Sequence, residues 1–211
     1  MFKLSSGNVW IFDLDNTLHD ASHYAFSQMN SLMTDFIIQE LGVEISKADQ
    51  IRELYWKKYG ATLLGLIRHH GVNPKHFLAA THDFKIDREK VPASYNLRYV
   101  LQTLNGKKYI FSNAPFAYVE KVLSALRVRF FFDDIFTIES TNYRPKPDLL
   151  GFRAVLRAIG VTGNKCTMVE DSVLNLRAAK ILGMRTVWLN RGVYKPKWVD
   201  RKIKNLSMLL R

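Results

Sequence analysis

The chain has 211 residues, 47% of them hydrophobic, which is enough for one sizeable α/β core and a smaller appendage. No run of about 18 apolar residues occurs, and the apolar stretch 9–14 is cut by Asp13 and closed by Asp15, so neither a signal peptide nor a membrane span is expected. The formal charge is +12, and residues 177–211 carry ten lysines and arginines against one acid, Asp200. Such a segment suits a solvated face, a nucleic-acid or anionic surface, or a field that draws in phosphorylated small molecules, and charge alone does not choose among them. The lone cysteine, Cys166, cannot form an internal disulfide, and a cytoplasmic protein is expected.

In chain order, residues 9–14 read as a buried strand, a short apolar run ending at polar residues. A helical stretch follows without a convincing strand, with expected helices at 21–41, 47–59, 62–70 and 74–83 and with Gly42, Gly60 and Gly71 where those helices stop. Residues 93–104 then read as a helix leading to a second strand at 109–112. Further strands are expected at 135–138, 166–170 and 186–189, alternating with helices at 117–126, 147–159 and 173–182. Gly160 and Gly183 mark helix ends, and Ser172 lies near a helix start. This alternation predicts a doubly wound, Rossmann-like, mostly parallel α/β core over residues 1–18 and 92–211, with an α-helical cap inserted at 19–91.

Four places carry chemistry, each at the end of an expected strand or in the loop beyond one. In Phe12-Asp13-Leu14-Asp15-Asn16-Thr17-Leu18, two carboxylates stand two residues apart where a strand gives way to a loop, the edge at which ligands bind in open α/β folds. Like charges so close call for a cation between them or for one to stay protonated, and an all-oxygen set suits Mg²⁺; the same acids can also cap a following helix. Ser112 and Asn113 close the second strand, offering a hydroxyl, an amide and backbone N–H groups to a phosphate oxygen, or forming an ordinary turn. Lys146 stands between Pro145 and Pro147, which preset its backbone for a charge that must neutralise a phosphoryl group. Glu170 and Asp171 end the fourth strand; beside the first strand they would bring Asp171 to the metal held by Asp13. His19 and His23 have the i, i+4 spacing of a zinc pair, but no third ligand is evident nearby.

These residues resemble the haloacid dehalogenase superfamily, whose four ordered motifs match Asp13-x-Asp15-x-Thr17, Ser112, Lys146 and Glu170-Asp171. The resemblance implies Asp13 as nucleophile, Asp15 as general acid then base, and Ser112 and Lys146 as phosphate ligands. It also implies a Mg²⁺ site of Asp13, Asp171, Glu170 and the Asp15 backbone carbonyl. Asp15 selects phosphoryl transfer over dehalogenation, because carbon–halogen cleavage has no oxygen leaving group that needs a proton. The implied activity is phosphatase hydrolysis of a small phosphorylated metabolite; a phosphomutase would use the same four motifs. Within the superfamily the chain is similar to the pyrimidine 5′-nucleotidase subgroup through residues 12–19 and the insertion segment 59–66, with a departure at Ala61. That similarity implies a nucleoside monophosphate such as UMP or CMP, with Trp56, Tyr59 and Thr62 choosing the leaving group. The competing sources of these side chains' pattern are a broad phosphatase acting on phosphoglycolate, sugar or flavin phosphates, and plain packing within the insertion. A role of another class, nucleic-acid binding by the basic C-terminal segment, would show as salt-sensitive affinity.

Overall fold

Six parallel strands form one sheet in the computed structural model, which describes residues 9–87 and 91–211. Residues 1–8, where the expected core begins, and 88–90, near the expected end of the insertion, lie outside the described residues. The strands are β1 (Val9–Phe12), β2 (Lys107–Phe111), β3 (Asp134–Phe136), β4 (Cys166–Glu170), β5 (Arg185–Leu189) and β6 (Arg201–Ile203), in the order β3-β2-β1-β4-β5-β6. Strand β1 is central: Phe12 registers with Ile110 of β2 on one side and Val169 of β4 on the other. The chain therefore leaves β1 in opposite directions to build the two halves, and the carboxyl end of β1 lies at the switch point where α/β sheets bind ligands.

All four residues of β1 are buried, as expected of a strand covered on both faces. Trp10 and Phe12 join one apolar cluster, with residues of α5 (Leu97–Thr103) and α6 (Phe116–Ala125). Val9 and Ile11 join the opposite cluster, with α7 (Leu149–Ile159) and α8 (Val173–Ile181). The period-two alternation of side chains thus fills both layers from one short segment.

Strand β6 lies inside the basic C-terminal segment and was not among the five strands expected. Its anchor is the one acid of that segment: Asp200 accepts from the Thr186 N–H at 2.9 Å and from the Lys180 ammonium at 2.6 Å. Val199, Ile203, Leu206 and Leu209 are buried. Much of the tail is thus folded onto the sheet edge.

Between β1 and β2 come α1 (Ala21–Leu41), α2 (Ile45–Tyr59), α3 (Thr62–His70) and α4 (Pro74–His82). Asp20 caps α1 by accepting from the His23 N–H, and Asn73 caps α4 ahead of Pro74. Gly42, Gly60 and Gly71 end the first three helices in the left-handed conformation. These helices share a cluster of their own around Phe36, Ile37, Tyr55, Leu66 and Phe77. Gly65 lets α3 lie on α2, because a Cβ there would fall 2.2 Å from Cγ of Tyr55. The first half of α1 packs Ala21, Ala25 and Met29 against the sheet cluster instead.

The entry and exit of this helical insertion are stitched together. The Asp20 N–H donates to the Pro92 carbonyl at 2.9 Å, and the Ser94 N–H donates to the Leu18 carbonyl at 2.9 Å. The Ser94 N–H belongs to this junction, and α5 begins at Leu97 rather than at residue 93. Among the described residues no helix is long and apolar enough to cross a membrane.

Candidate active site at the carboxyl edge of the sheet

Asp13 follows β1 directly, and its N–H continues the ladder to the Val169 carbonyl of β4 at 3.0 Å. Both side-chain oxygens are held. Oδ1 accepts from Nζ of Lys146 at 2.6 Å, and Oδ2 accepts from the Thr17 hydroxyl at 3.0 Å. The same ammonium reaches Oε2 of Glu170, the last residue of β4, at 2.8 Å. All three charged side chains are buried. A lysine 133 positions away in sequence is thus brought between the ends of the two central strands.

One cation here faces more than one acid. Burial, with the Glu170 charge adding to it, pushes the Asp13 carboxyl up to about 7 in spite of Lys146. Burial likewise pushes Glu170 up to about 7 against the pull of Lys146, and burial and the Asp13 charge raise Asp171. For Lys146 burial works downward, but the two carboxylates reverse it and hold the ammonium above its ordinary range. Carboxylate oxygens of Asp13, Glu170 and Asp171 lie within 4.8 Å of one another. An all-oxygen cluster with excess negative charge suits a hard divalent cation, whose charge would offset the burial and the repulsion that raise these groups. The indole of Trp188 donates to the Asp171 carbonyl at 2.7 Å and steadies that end of the cluster.

Asp15 stands apart from the three, with a separate set of partners. Its Oδ1 accepts from the Tyr118 hydroxyl of α6 at 2.8 Å and lies 3.0 Å from Nε2 of His19. Tyr118 was not anticipated from the sequence; an aromatic residue in the first turn of an apolar helix carries no local mark of a polar duty. Burial first, and the Asp15 charge next, hold its hydroxyl well above the ordinary phenol range, so it stays a donor. His19 precedes α1, so it does not share a helical face with His23, and no zinc pair forms.

Ser112, one residue beyond β2, donates its N–H to the Phe136 carbonyl, and its Oγ accepts from the Ala114 N–H at 3.1 Å. Among the described residues nothing accepts the hydroxyl hydrogen. Asn113 does something the sequence did not suggest: its amide clamps the Lys146 backbone, accepting from the N–H at 2.7 Å and donating to the carbonyl at 3.1 Å. One of its two amide N–H donors is spent on that clamp, which leaves the other, with the loop's backbone N–H groups, to offer an anion.

These groups open into a cavity of about 1210 Å³ walled by the helical insertion. Trp56 lies on that wall and is 61% exposed. Tyr59 also lines it, with its hydroxyl 2.6 Å from Nε2 of His69 and with Lys58 and Arg68 near its ring. Thr62 is buried, and its hydroxyl donates to the Arg52 carbonyl at 3.0 Å, tying α3 to α2. Tyr55, Leu63 and Leu66 are packing residues of the insertion. Gly60 is where wall meets floor: it has φ of 79°, and a Cβ there would fall 2.8 Å from the Lys146 carbonyl. Only glycine satisfies both conditions.

A family model described as haloacid dehalogenase-like hydrolase matches residues 8–183. A glyceraldehyde 3-phosphate phosphatase of Methanocaldococcus jannaschii is 25% identical over 95% of this chain and 94% of its own length, and one of Pyrococcus furiosus is 29% identical over 96% and 91%. Phosphate metabolism protein 8 of Saccharomyces cerevisiae is 24% identical over 83% of the chain, which spans 59% of that relative's length. Among solved structures, a HAD phosphatase from Thermococcus onnurineus superposes with a TM-score of 0.67 at 20% identity, over 96% of this chain and 95% of the other. A 2-haloacid dehalogenase from Pseudomonas syringae gives 0.63 at 20% identity, over 97% of each chain.

Proposed function

The chain belongs to the haloacid dehalogenase-like hydrolase family, and from that membership we propose that it is a Mg²⁺-dependent phosphatase that cleaves a small phosphomonoester through an aspartyl-phosphate on Asp13. The observation that carries the reading is the buried Lys146 ammonium bridging Asp13 and Glu170, with Asp171 beside them and Asp15 free of the cluster. One carboxylate is thereby held for attack, and another is kept apart for proton transfer.

In this reading an Asp13 oxygen attacks phosphorus in line, held by Thr17 and Lys146. The phosphorus–oxygen bond to the leaving group breaks as Asp15 gives that oxygen its proton. Asp15 then takes a proton from water, which attacks the aspartyl-phosphate and returns Asp13 as a carboxylate. Ser112 and Lys146 bind the transferring phosphoryl oxygens, and Asn113 serves by holding Lys146 in place. Asp13, Glu170, Asp171 and the backbone carbonyl of Asp15 would hold Mg²⁺, which supplies charge neutralisation for the phosphoryl group. Residues 19–91 act as a cap that excludes bulk water from the acylphosphate.

For the substrate, a pyrimidine nucleoside monophosphate is supported by the size of the cavity and by the exposed Trp56 on its wall, which offers a face to a base. A phosphorylated three-carbon aldehyde is the second reading, supported by the names of the two archaeal relatives. Phosphate release decides, measured from UMP, CMP, dTMP, AMP, glyceraldehyde 3-phosphate, phosphoglycolate, sugar phosphates and flavin mononucleotide, with and without Mg²⁺. Pyrimidine monophosphates are expected to lead, and both removal of Mg²⁺ and Asp13→Asn are expected to abolish turnover. A different leading ester would replace the substrate and keep the mechanism; full activity in Asp13→Asn would overturn the mechanism.

A further inference from the structure

We infer that Tyr118 and His19 are positioning residues that fix which oxygen of Asp15 serves the leaving group. The inference rests on the proton-transfer role proposed above for Asp15. It starts from an asymmetry: both partners of the Asp15 carboxyl act on one atom, Oδ1, with the Tyr118 hydroxyl at 2.8 Å and Nε2 of His19 at 3.0 Å. Among the described residues, Oδ2 has no hydrogen bond.

A carboxyl oxygen has two lone-pair sites. With Tyr118 donating to one and the Nε2–H of His19 to the other, Oδ1 is saturated. Oδ2 is left as the oxygen that meets a substrate in the cavity Asp15 lines. A terminal carboxyl torsion is soft and roughly two-fold, so two donors on one side convert a rotor into a fixed pair of unlike oxygens.

The donors themselves are held. Tyr118 and His19 are both buried. The Tyr118 ring stands edge-on to His82 at 5.8 Å and packs near Phe84 at 5.9 Å, so it cannot swing away without disturbing the end of α4. His19 is fixed through its backbone, which bridges to Asp15 and to Ala93. Among the described residues its buried Nδ1 has no partner, and the bond to Asp15 is the polar contact its ring makes there. A buried imidazole nitrogen left bare carries a desolvation cost, which is understandable if the ring is kept for its other nitrogen.

The test compares two esters that differ in their need for a proton. An alkyl phosphomonoester leaves as a strongly basic alkoxide; 4-nitrophenyl phosphate releases an anion stable without one. The readout is kcat/KM, which ends at departure of the leaving group and does not report the later hydrolysis of the acylphosphate. Tyr118→Phe, which keeps the ring, is expected to lower kcat/KM for the alkyl ester by about 10- to 50-fold and for the aryl ester by less than about 3-fold. His19→Ala should show the same selectivity, and His19→Gln, whose amide nitrogen can reach Oδ1, should recover part of the alkyl activity. Asp15→Asn sets the reference. Selective loss in Asp15→Asn with equal loss on both esters, or none, in Tyr118→Phe and His19→Ala would overturn the positioning role alone. No selective loss in Asp15→Asn would overturn the reading of Asp15, and this inference with it.

Discussion

The floor and the wall of the cavity are held by different means. On the floor, Lys146 is 2% exposed and stands between two buried carboxylates, with its backbone N–H and carbonyl both clamped by Asn113. On the wall, Trp56 is 61% exposed, and Lys58 and Arg68 lie near Tyr59 without an acidic partner among the described residues. Buried charges have few alternative arrangements, because each displaced partner leaves an uncompensated ion. Exposed side chains keep many rotamers open at little cost. The same fold therefore carries a tightly held floor and an adaptable wall, and it is a fold shared with a HAD phosphatase and a 2-haloacid dehalogenase among solved structures.

The largest effect expected from breaking this contrast is on the floor. Lys146→Met removes the cation and leaves Asp13 and Glu170 buried side by side. Activity should fall by about a thousandfold or more, and urea unfolding should show a loss of about 3 kcal/mol, in the range for breaking a buried ion pair. Stability unchanged within error would mean that the two carboxylates are already neutral without their lysine. Next comes Asn113→Ala, which touches no charge. It leaves the Lys146 N–H and carbonyl without their side-chain partner, so kcat should drop by about 10- to 100-fold through misplacement of the ammonium. A drop of less than about threefold would show that the flanking prolines hold the lysine unaided.

The same contrast explains what could be read from the chain beforehand. Asp13, Asp15, Ser112, Glu170 and Asp171 sit at or just beyond strand ends, where short apolar runs stop, and Lys146 stood out by its two flanking prolines in the loop beyond β3; topology brings them to one edge. Helix stops at Gly42, Gly60 and Gly71 were equally legible, since a left-handed helix end favours glycine whatever surrounds it. Strand β6 was hidden because its three residues, Arg-Lys-Ile, carry charge and owe their place to Asp200 and β5. Tyr118 and the clamp of Asn113 were hidden for another reason. Each depends on a partner 103 or 33 positions away, and no local pattern records such a meeting. Thr62 shows the converse: a hydroxyl in a segment that resembles a specificity loop is spent on the Arg52 carbonyl.

The smallest effect expected lies on the wall and tests the selector directly. Trp56→Ala should leave stability within about 0.5 kcal/mol, because its indole is mostly in water already. Rates should move unequally: for an ester whose leaving group carries a flat ring, kcat/KM should fall by up to about tenfold, and for a three-carbon phosphate it should hardly change. Tyr59→Ala is the harsher companion, since it also removes the hydroxyl bonded to His69 and the ring beside Lys58 and Arg68. If both variants shift the ranking of esters in the same sense, the wall selects through aromatic faces. If only Tyr59→Ala does, selection runs through the cations its ring organises, and a substrate with a second negative charge becomes the better match. If neither does, the insertion contributes enclosure alone, and the choice of substrate must be made on the floor, where every variant also costs catalysis.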